Sequence, residues 1–252
     1  MFRRIPSHSF RRAVIALLTC GFIANTASAQ EPDPRELLKR MGAAVAGLDS
    51  YRISGDAYVD ARLDAGLIIE HASEATLSVR KPDSVRITNK SSEDVKELFF
   101  SAGQLTVYTQ SKNFYGQTEI PEGVEAALDY ATDELGLDAP MLDFVTGEVA
   151  ERLLAEATNV EYFGTSLIRG KVYEHVVIRS PELDIQLWIA AEGLPLPGKM
   201  ALSAKWDSGS PRTVVFMEWD ADPDIPSGAL AFEPPVGAVR ISFESVSSAE
   251  ER

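Results

Sequence analysis

KVYEHVVIRSPELDIQLWIAA, residues 171–191, reads as two β-strands joined at Pro181-Glu182. Pairing Ser180 with Leu183 sets Arg179 opposite Asp184, Val177 opposite Gln186 and His175 opposite Trp188. Side chains alternate along a strand, so these six share one face. The other face holds Ile178 with Ile185, Val176 with Leu187, and Glu174 with Ile189. One face is thus nearly all aliphatic, and the other carries an ion pair, an amide, an imidazole and an indole. A one-residue slip would set Arg179 against an aliphatic side chain and lose the match.

The same period of two recurs on both sides of the hairpin. Strands are expected at 51–60, 66–80, 84–90, 95–101, 104–110 and 112–119, with turn signals at Asp64-Ala65-Gly66, Pro82-Asp83 and Ala102-Gly103. They resume at 157–168, 171–180, 183–191, 198–206 and 211–221, with a last short strand near Val239 to Phe243. Helical spacing appears in three places. Residues 34–47 place Leu37, Leu38, Met41, Ala44 and Val45 on one stripe, with Asp33 as cap, Pro34 in the first turn and Gly47 at the end. Residues 122–135 do so through Val124, Ala127, Leu128, Ala131 and Leu135, with Gly136 as a natural stop. Residues 140–155 hold one or two shorter helices carrying Met141, Leu142, Phe144, Val145, Val149, Leu153 and Leu154. The order helix, strands, helices, strands predicts an α+β fold: a curved antiparallel sheet of about ten strands with helices packed on one face.

The N-terminus predicts export. Arg3, Arg4, Arg11 and Arg12 precede a short apolar run, AVIALLTCGFIA at 13–24, and Ala27-Ser28-Ala29 supplies small residues for cleavage before Gln30. The run is too short for a stable bilayer anchor. Arg11-Arg12 loosely resembles a twin-arginine signal, but an ordinary Sec n-region accounts for it. Leu17-Leu18-Thr19-Cys20 loosely resembles a lipobox, with Thr19 a poor fit before the cysteine. Residues 1–29 are therefore read as a signal peptide and residues 30–252 as one domain. Cleavage takes four positive charges and no negative ones from a formal net charge of −14, leaving −18 on 223 residues. It also removes the single cysteine, which excludes disulfides and thiolate chemistry in the mature chain. Such a charge repels phosphate backbones, so nucleic acid is not an expected partner.

Catalytic patterns are sparse. His71 and His175 are the only histidines after cleavage, and no H-E-x-x-H, G-x-S-x-G, Walker or G-x-G-x-x-G pattern occurs. The acidic run Asp220 to Asp224 lacks the glycine and glutamate of a calcium loop, since Ile225 and Ala231 stand there. No catalytic residue, metal ligand or cofactor is assigned. The polar patch His175, Arg179, Asp184, Gln186 and Trp188 has a functional reading, contact with a ligand. Its plainer reading is cross-strand stabilisation, with Arg179–Asp184 a surface pair worth at most about 1 kcal/mol.

His175-Val176-Val177-Ile178-Arg179, then Asp184-Ile185-Gln186-Leu187-Trp188-Ile189, then Gly193-Leu194-Pro195-Leu196-Pro197 resemble a family of periplasmic proteins of undefined activity. Arg80-Lys81-Pro82-Asp83, Asn113-Phe114-Tyr115, Phe163-Gly164 and Phe232-Glu233-Pro234-Pro235 extend the resemblance over about residues 35–243. That family is similar to the superfamily of the lipoprotein carriers LolA and LolB. The resemblance implies an unclosed β-barrel with an N-terminal helix and a helical lid over an apolar cavity. Helices 122–135 and 140–155 would be the lid. Val176, Ile178, Ile185, Leu187, Ile189, Met200 and Leu202 from the strands, with Leu128, Leu142 and Phe144 from the lid, would line the cavity. For each of them ordinary core is the plainer reading. No residue matches the carrier features that hand over a lipoprotein. The expectation is a periplasmic, monomeric, non-catalytic protein that binds an apolar or acyl-bearing ligand, a lipoprotein among the options. The alternative is an envelope interaction or sensor module that binds a partner protein through the same fold.

Overall fold

The computed structural model describes residues 31–63, 66–134, 141–145, 147–205, 211–226 and 228–243. The expected leader 1–29, and Leu135 and Gly136 at the expected end of the second helix, lie outside the described residues. The first helix, α1 (Pro34–Ala46), starts where expected. The Asp33 side chain accepts a hydrogen bond from the Arg35 amide at 2.9 Å, Pro34 occupies the first turn, and Leu37, Leu38, Met41 and Val45 are buried. Lys81 closes the other end, where carbonyls lack intrahelical donors. Its ammonium donates to Val45 O at 3.1 Å and Ala46 O at 2.7 Å, and burial lowers its pKa.

The strands form one sheet. In chain order they are β1 (Ser50–Arg62), β2 (Ile68–Arg80), β3 (Ser84–Lys90), β4 (Val95–Ser101), β5 (Gln104–Thr109), β6 (Phe114–Glu119), β7 (Asn159–Ile168), β8 (Lys171–Arg179), β9 (Leu183–Ala190), β10 (Pro197–Ala204), β11 (Arg212–Phe216), β12 (Glu218–Asp220) and β13 (Val239–Ile241). The spatial order is β13-β6-β5-β4-β3-β2-β1-β11-β10-β9-β8-β7. β12 also pairs with β1, beside β11. Among the described residues β7 and β13 do not pair with each other, so the barrel is unclosed. β1 joins the two halves, with β2 on one side and β11 and β12 on the other.

The expected strand 211–221 is two strands, broken at Met217, and the reason sits across the ladder in Gly55 of β1. A Cβ there would lie 1.7 Å from the Phe216 carbonyl oxygen, so only glycine lets the kinked backbone approach. The last short strand forms as expected at β13, and this split adds one more, so the sheet has 13 strands rather than about ten. β13 runs parallel to β6, while the other pairs among the described residues are antiparallel.

The inner face carries the core. α2 (Val124–Asp133), a 3-10 turn (Leu142–Phe144) and α3 (Val149–Ala155) cover it together with α1. Tyr51, Ile53, Leu77, Val79, Val85, Phe100 and Leu105 from the first half pack there with Val176, Ile178, Leu187 and Ile189 from the second. The outer face of the first half is strapped by the chain after β12. Arg80 and Arg86 hold its backbone through Ile225 O (2.6 Å) and Ala229 O (3.2 Å). Phe232 packs among Phe99, Tyr108 and Tyr115 at 5.1–5.5 Å. The described residues from Glu31 onward make one compact unit. No helix among the described residues is long and apolar enough to cross a membrane.

Candidate functional site

The β8–β9 hairpin forms with the register read from its sequence. Arg179 pairs with Asp184, Val177 with Gln186 and His175 with Trp188, while Ile178 pairs with Ile185 and Val176 with Leu187. The Ser180 hydroxyl and amide both donate to Leu183 O, and the Leu183 amide donates back to Ser180 Oγ at 3.0 Å, which fixes the turn.

On the outer face the polar residues form a row rather than a cup. The His175 ring stacks on Trp188 at 4.3 Å and 10°, and its Nε2 lies 3.1 Å from Gln186 Oε1. The Trp188 indole N–H donates to Ser166 Oγ at 3.3 Å. Lys199, one strand further on, holds its ammonium 4.3 Å from the Trp188 ring centre and 5.1 Å from that of Phe216. Burial lowers the pKa of His175, and the charge of Lys199 adds to the effect, while the Gln186 contact opposes it. Burial likewise lowers Lys199, with Arg212 adding to it. Asp184 accepts from Lys205 at 2.6 Å and from Arg179 at 3.3 Å. Burial alone would raise its carboxyl, but the two cations more than offset this and hold it low. No pattern in the sequence signals Lys199 or Lys205, whose partners lie on other strands.

On the inner face Val176, Leu187 and Ile189 have zero exposure, and Ile178, Met200, Leu128, Phe144 and Ile185 are buried with them in one cluster. Leu142 and Leu202 are partly buried against it. Zero exposure leaves no room for a water molecule beside those side chains. The lid is pinned from below by Tyr51. Its hydroxyl donates to Phe144 O at 2.5 Å and lies 3.3 Å from Val145 O, and burial pushes its pKa up strongly. Trp219 packs against Tyr51 at 5.6 Å and Phe144 at 5.8 Å, and its indole N–H donates to Pro197 O at 2.7 Å.

Trp219 also lines a cleft of about 820 Å³ at the end of the sheet, where the β7–β8 turn meets the β9–β10 connection. Val172, Leu194, Met217 and Trp219 give it apolar wall, and Lys171 and Glu192 are charged residues in its lining. Tyr173 also lines it, only 9 % exposed, its ring over Gly198, where a Cβ would lie 2.3 Å from the ring. Its hydroxyl has no hydrogen-bond partner among the described residues. Among the described residues no group of His, Cys, Asp and Glu is placed to hold a metal ion.

No curated protein matches this sequence. Among solved structures, the Mycobacterium tuberculosis lipoprotein LppX is 14% identical, with 77% of this chain and 100% of that one covered at a TM-score of 0.47. An uncharacterized conserved protein from Thermus thermophilus is 10% identical, covering 83% and 98% at 0.48. A LolA superfamily protein from Nitrosomonas europaea is 9% identical, covering 80% and 99% at 0.36. The family model described as "Predicted periplasmic protein (DUF2092)" matches residues 35–244, and the chain belongs to that family.

Proposed function

We propose that the protein is a periplasmic, non-catalytic binding or carrier protein for an apolar or acyl-bearing ligand taken up between the sheet and its lid. The observation that carries this reading is the wall opposite the sheet. α2 has 10 residues, α3 has 7, and a 3-residue turn lies between them in sequence. Helices this short are marginal on their own and are held by packing. Such a wall opens at lower cost than a strand in the middle of a sheet. Lifting it exposes Val176, Ile178, Ile185, Leu187, Ile189, Met200 and Leu202, with Leu128, Leu142 and Phe144 on the lid side. As the lid lies now, Val176, Leu187 and Ile189 have zero exposure, so a ligand beside them requires the lid to move. The test is gentle purification of the exported chain followed by native mass spectrometry. A lipid-sized adduct is expected, and a chain that carries none and never shifts a fluorescent fatty-acid probe contradicts the reading.

The zero exposure of the inner side chains favours a second reading, a module that binds a partner protein and keeps its core filled. Val236, Val239, Ile241 and Phe114 are exposed along the β13–β6 edge and give it an apolar surface. A stoichiometric protein partner from envelope extract, with no lipid adduct, would select it.

A further inference from the structure

The cleft beside Trp219 joins two environments. Its lining reaches Val172 and Leu194, exposed by 46% and 52%. Its floor includes Trp219, whose ring packs in the core against Tyr51 and against Phe144 of the lid. Leu167, paired with Val172 across β7–β8, is 74% exposed and extends the apolar surface past the cleft. Single exposed hydrophobics are ordinary. Three at one end of a sheet, beside a space of about 820 Å³, are of the size and character of a small-molecule site.

The charges of the lining sort ligands further. Glu218, a third charged residue of the lining, is paired with Arg169 at 3.4 Å, and Arg169 lies outside the lining and also pairs with Asp56 at 2.7 Å. Lys171 and Glu192 make no ion pair among the described residues, though both line the same space. An unpaired cation and an unpaired anion at one mouth match a ligand that carries both signs. The strongly acidic chain works against a purely anionic ligand. Tyr173, a buried residue of the lining whose hydroxyl has no partner among the described residues, adds a hydrogen-bonding group that a ligand could satisfy.

We infer that this cleft is the mouth of the binding site and takes a zwitterionic single-chain lipid. Lys171 meets its phosphate, Glu192 its ammonium, and Val172, Leu194 and Trp219 guide its chain toward the lid. The inference rests on the apolar-ligand reading above and adds where the ligand enters and which head is preferred.

The test is a titration of the leaderless protein, following Trp fluorescence. The ligands are lysophosphatidylethanolamine, lysophosphatidylglycerol and the chain-free head glycerophosphoethanolamine. The expected order is tight binding of the first, binding about tenfold weaker of the second, and none of the third. Val172→Asp and Leu194→Asp, both at exposed positions, should keep the wild-type melting curve and weaken the first ligand by about tenfold or more. Lys171→Glu and Glu192→Lys should reduce the preference for the zwitterion over the anion. Wild-type binding unaffected by Val172→Asp and Leu194→Asp would overturn the cleft and leave the apolar-ligand reading standing. Equal affinity for the two lipids, unchanged by the charge reversals, would overturn the head assignment. Binding of the chain-free head as tightly as the lipid would overturn the role of the acyl chain. No binding of any amphiphile would overturn both the inference and the reading it rests on.

Discussion

Leu187 and Trp188 are neighbours on β9, yet they sit in different kinds of environment. Leu187 points into the sheet–lid interior with zero exposure, in a cluster drawn from strands and helices. Trp188 is 7% exposed, and no helix among the described residues joins its cluster. His175, Lys199 and Ser166, all on the sheet's own outer face, shield it instead. Around β9 the inner face is buried by another layer, and Trp188 on the outer face is buried sideways by its own row. Stability should therefore reside in the first, while the second holds the face dry at small energetic stakes.

The largest effect should come from the interior. Leu187→Ala removes buried aliphatic volume that cannot collapse easily and should cost about 2–5 kcal/mol, read from urea midpoints. A loss below about 1 kcal/mol would mean that the core is loose and the contrast between faces is overstated. Next comes the pin beneath the lid. Tyr51→Phe keeps the ring but leaves the Phe144 carbonyl of the lid short of its donor, at a cost of about 1–3 kcal/mol. Amide exchange should speed up in residues 141–145 and 147–155 and stay unchanged in β3 and β4. Uniform acceleration would show that Tyr51 supports the whole fold rather than the lid.

The outer row is sharpened by pH. His175 has a folded pKa below its ordinary value, chiefly through burial. The unfolded chain takes up the proton first as pH falls below about 6.5. The contribution is thus fully present above that pH and is lost as pH falls through the folded value. Between pH 7.5 and 5 the wild type should lose more stability than His175→Phe, which keeps a ring against Trp188. Equal losses would remove His175 from the account. The smallest effect belongs to Arg179→Ala, at most about 1 kcal/mol, because the pair is exposed and Lys205 still holds Asp184 at 2.6 Å. A larger loss would show the rim to be structural.

These contrasts were partly legible from residue order. Period-two alternation and turn residues placed 84–90 and 95–101 with the bounds β3 and β4 have. The match of Arg179 with Asp184 fixed the hairpin register because a slip inverts both faces. What escaped depends on contacts far apart in sequence. Gly55 signals a close approach, but nothing nearby says that Phe216 makes it. Tyr51 reads as an ordinary strand aromatic until the lid turn arrives above it. Phe232 was visible as part of a motif, but its path over β4, β5 and β6 follows from a strap that no periodicity marks. Lys199 and Lys205 join the outer row only once β10 lies beside β9.

The central claim is that the lid moves to admit an apolar ligand, and a reversible tether tests it. Ala46 ends α1, and a Cβ built at Gly147 of the lid segment lies 3.1 Å from Ala46 Cβ, close to the spacing a disulfide bridges. The leaderless chain has no cysteine, so Ala46→Cys with Gly147→Cys forms an isolated pair. The oxidised protein should lose binding of a fluorescent fatty-acid probe and regain it on reduction. Equal affinity in both states, with the disulfide verified by mass, would contradict a ligand site beneath a moving lid.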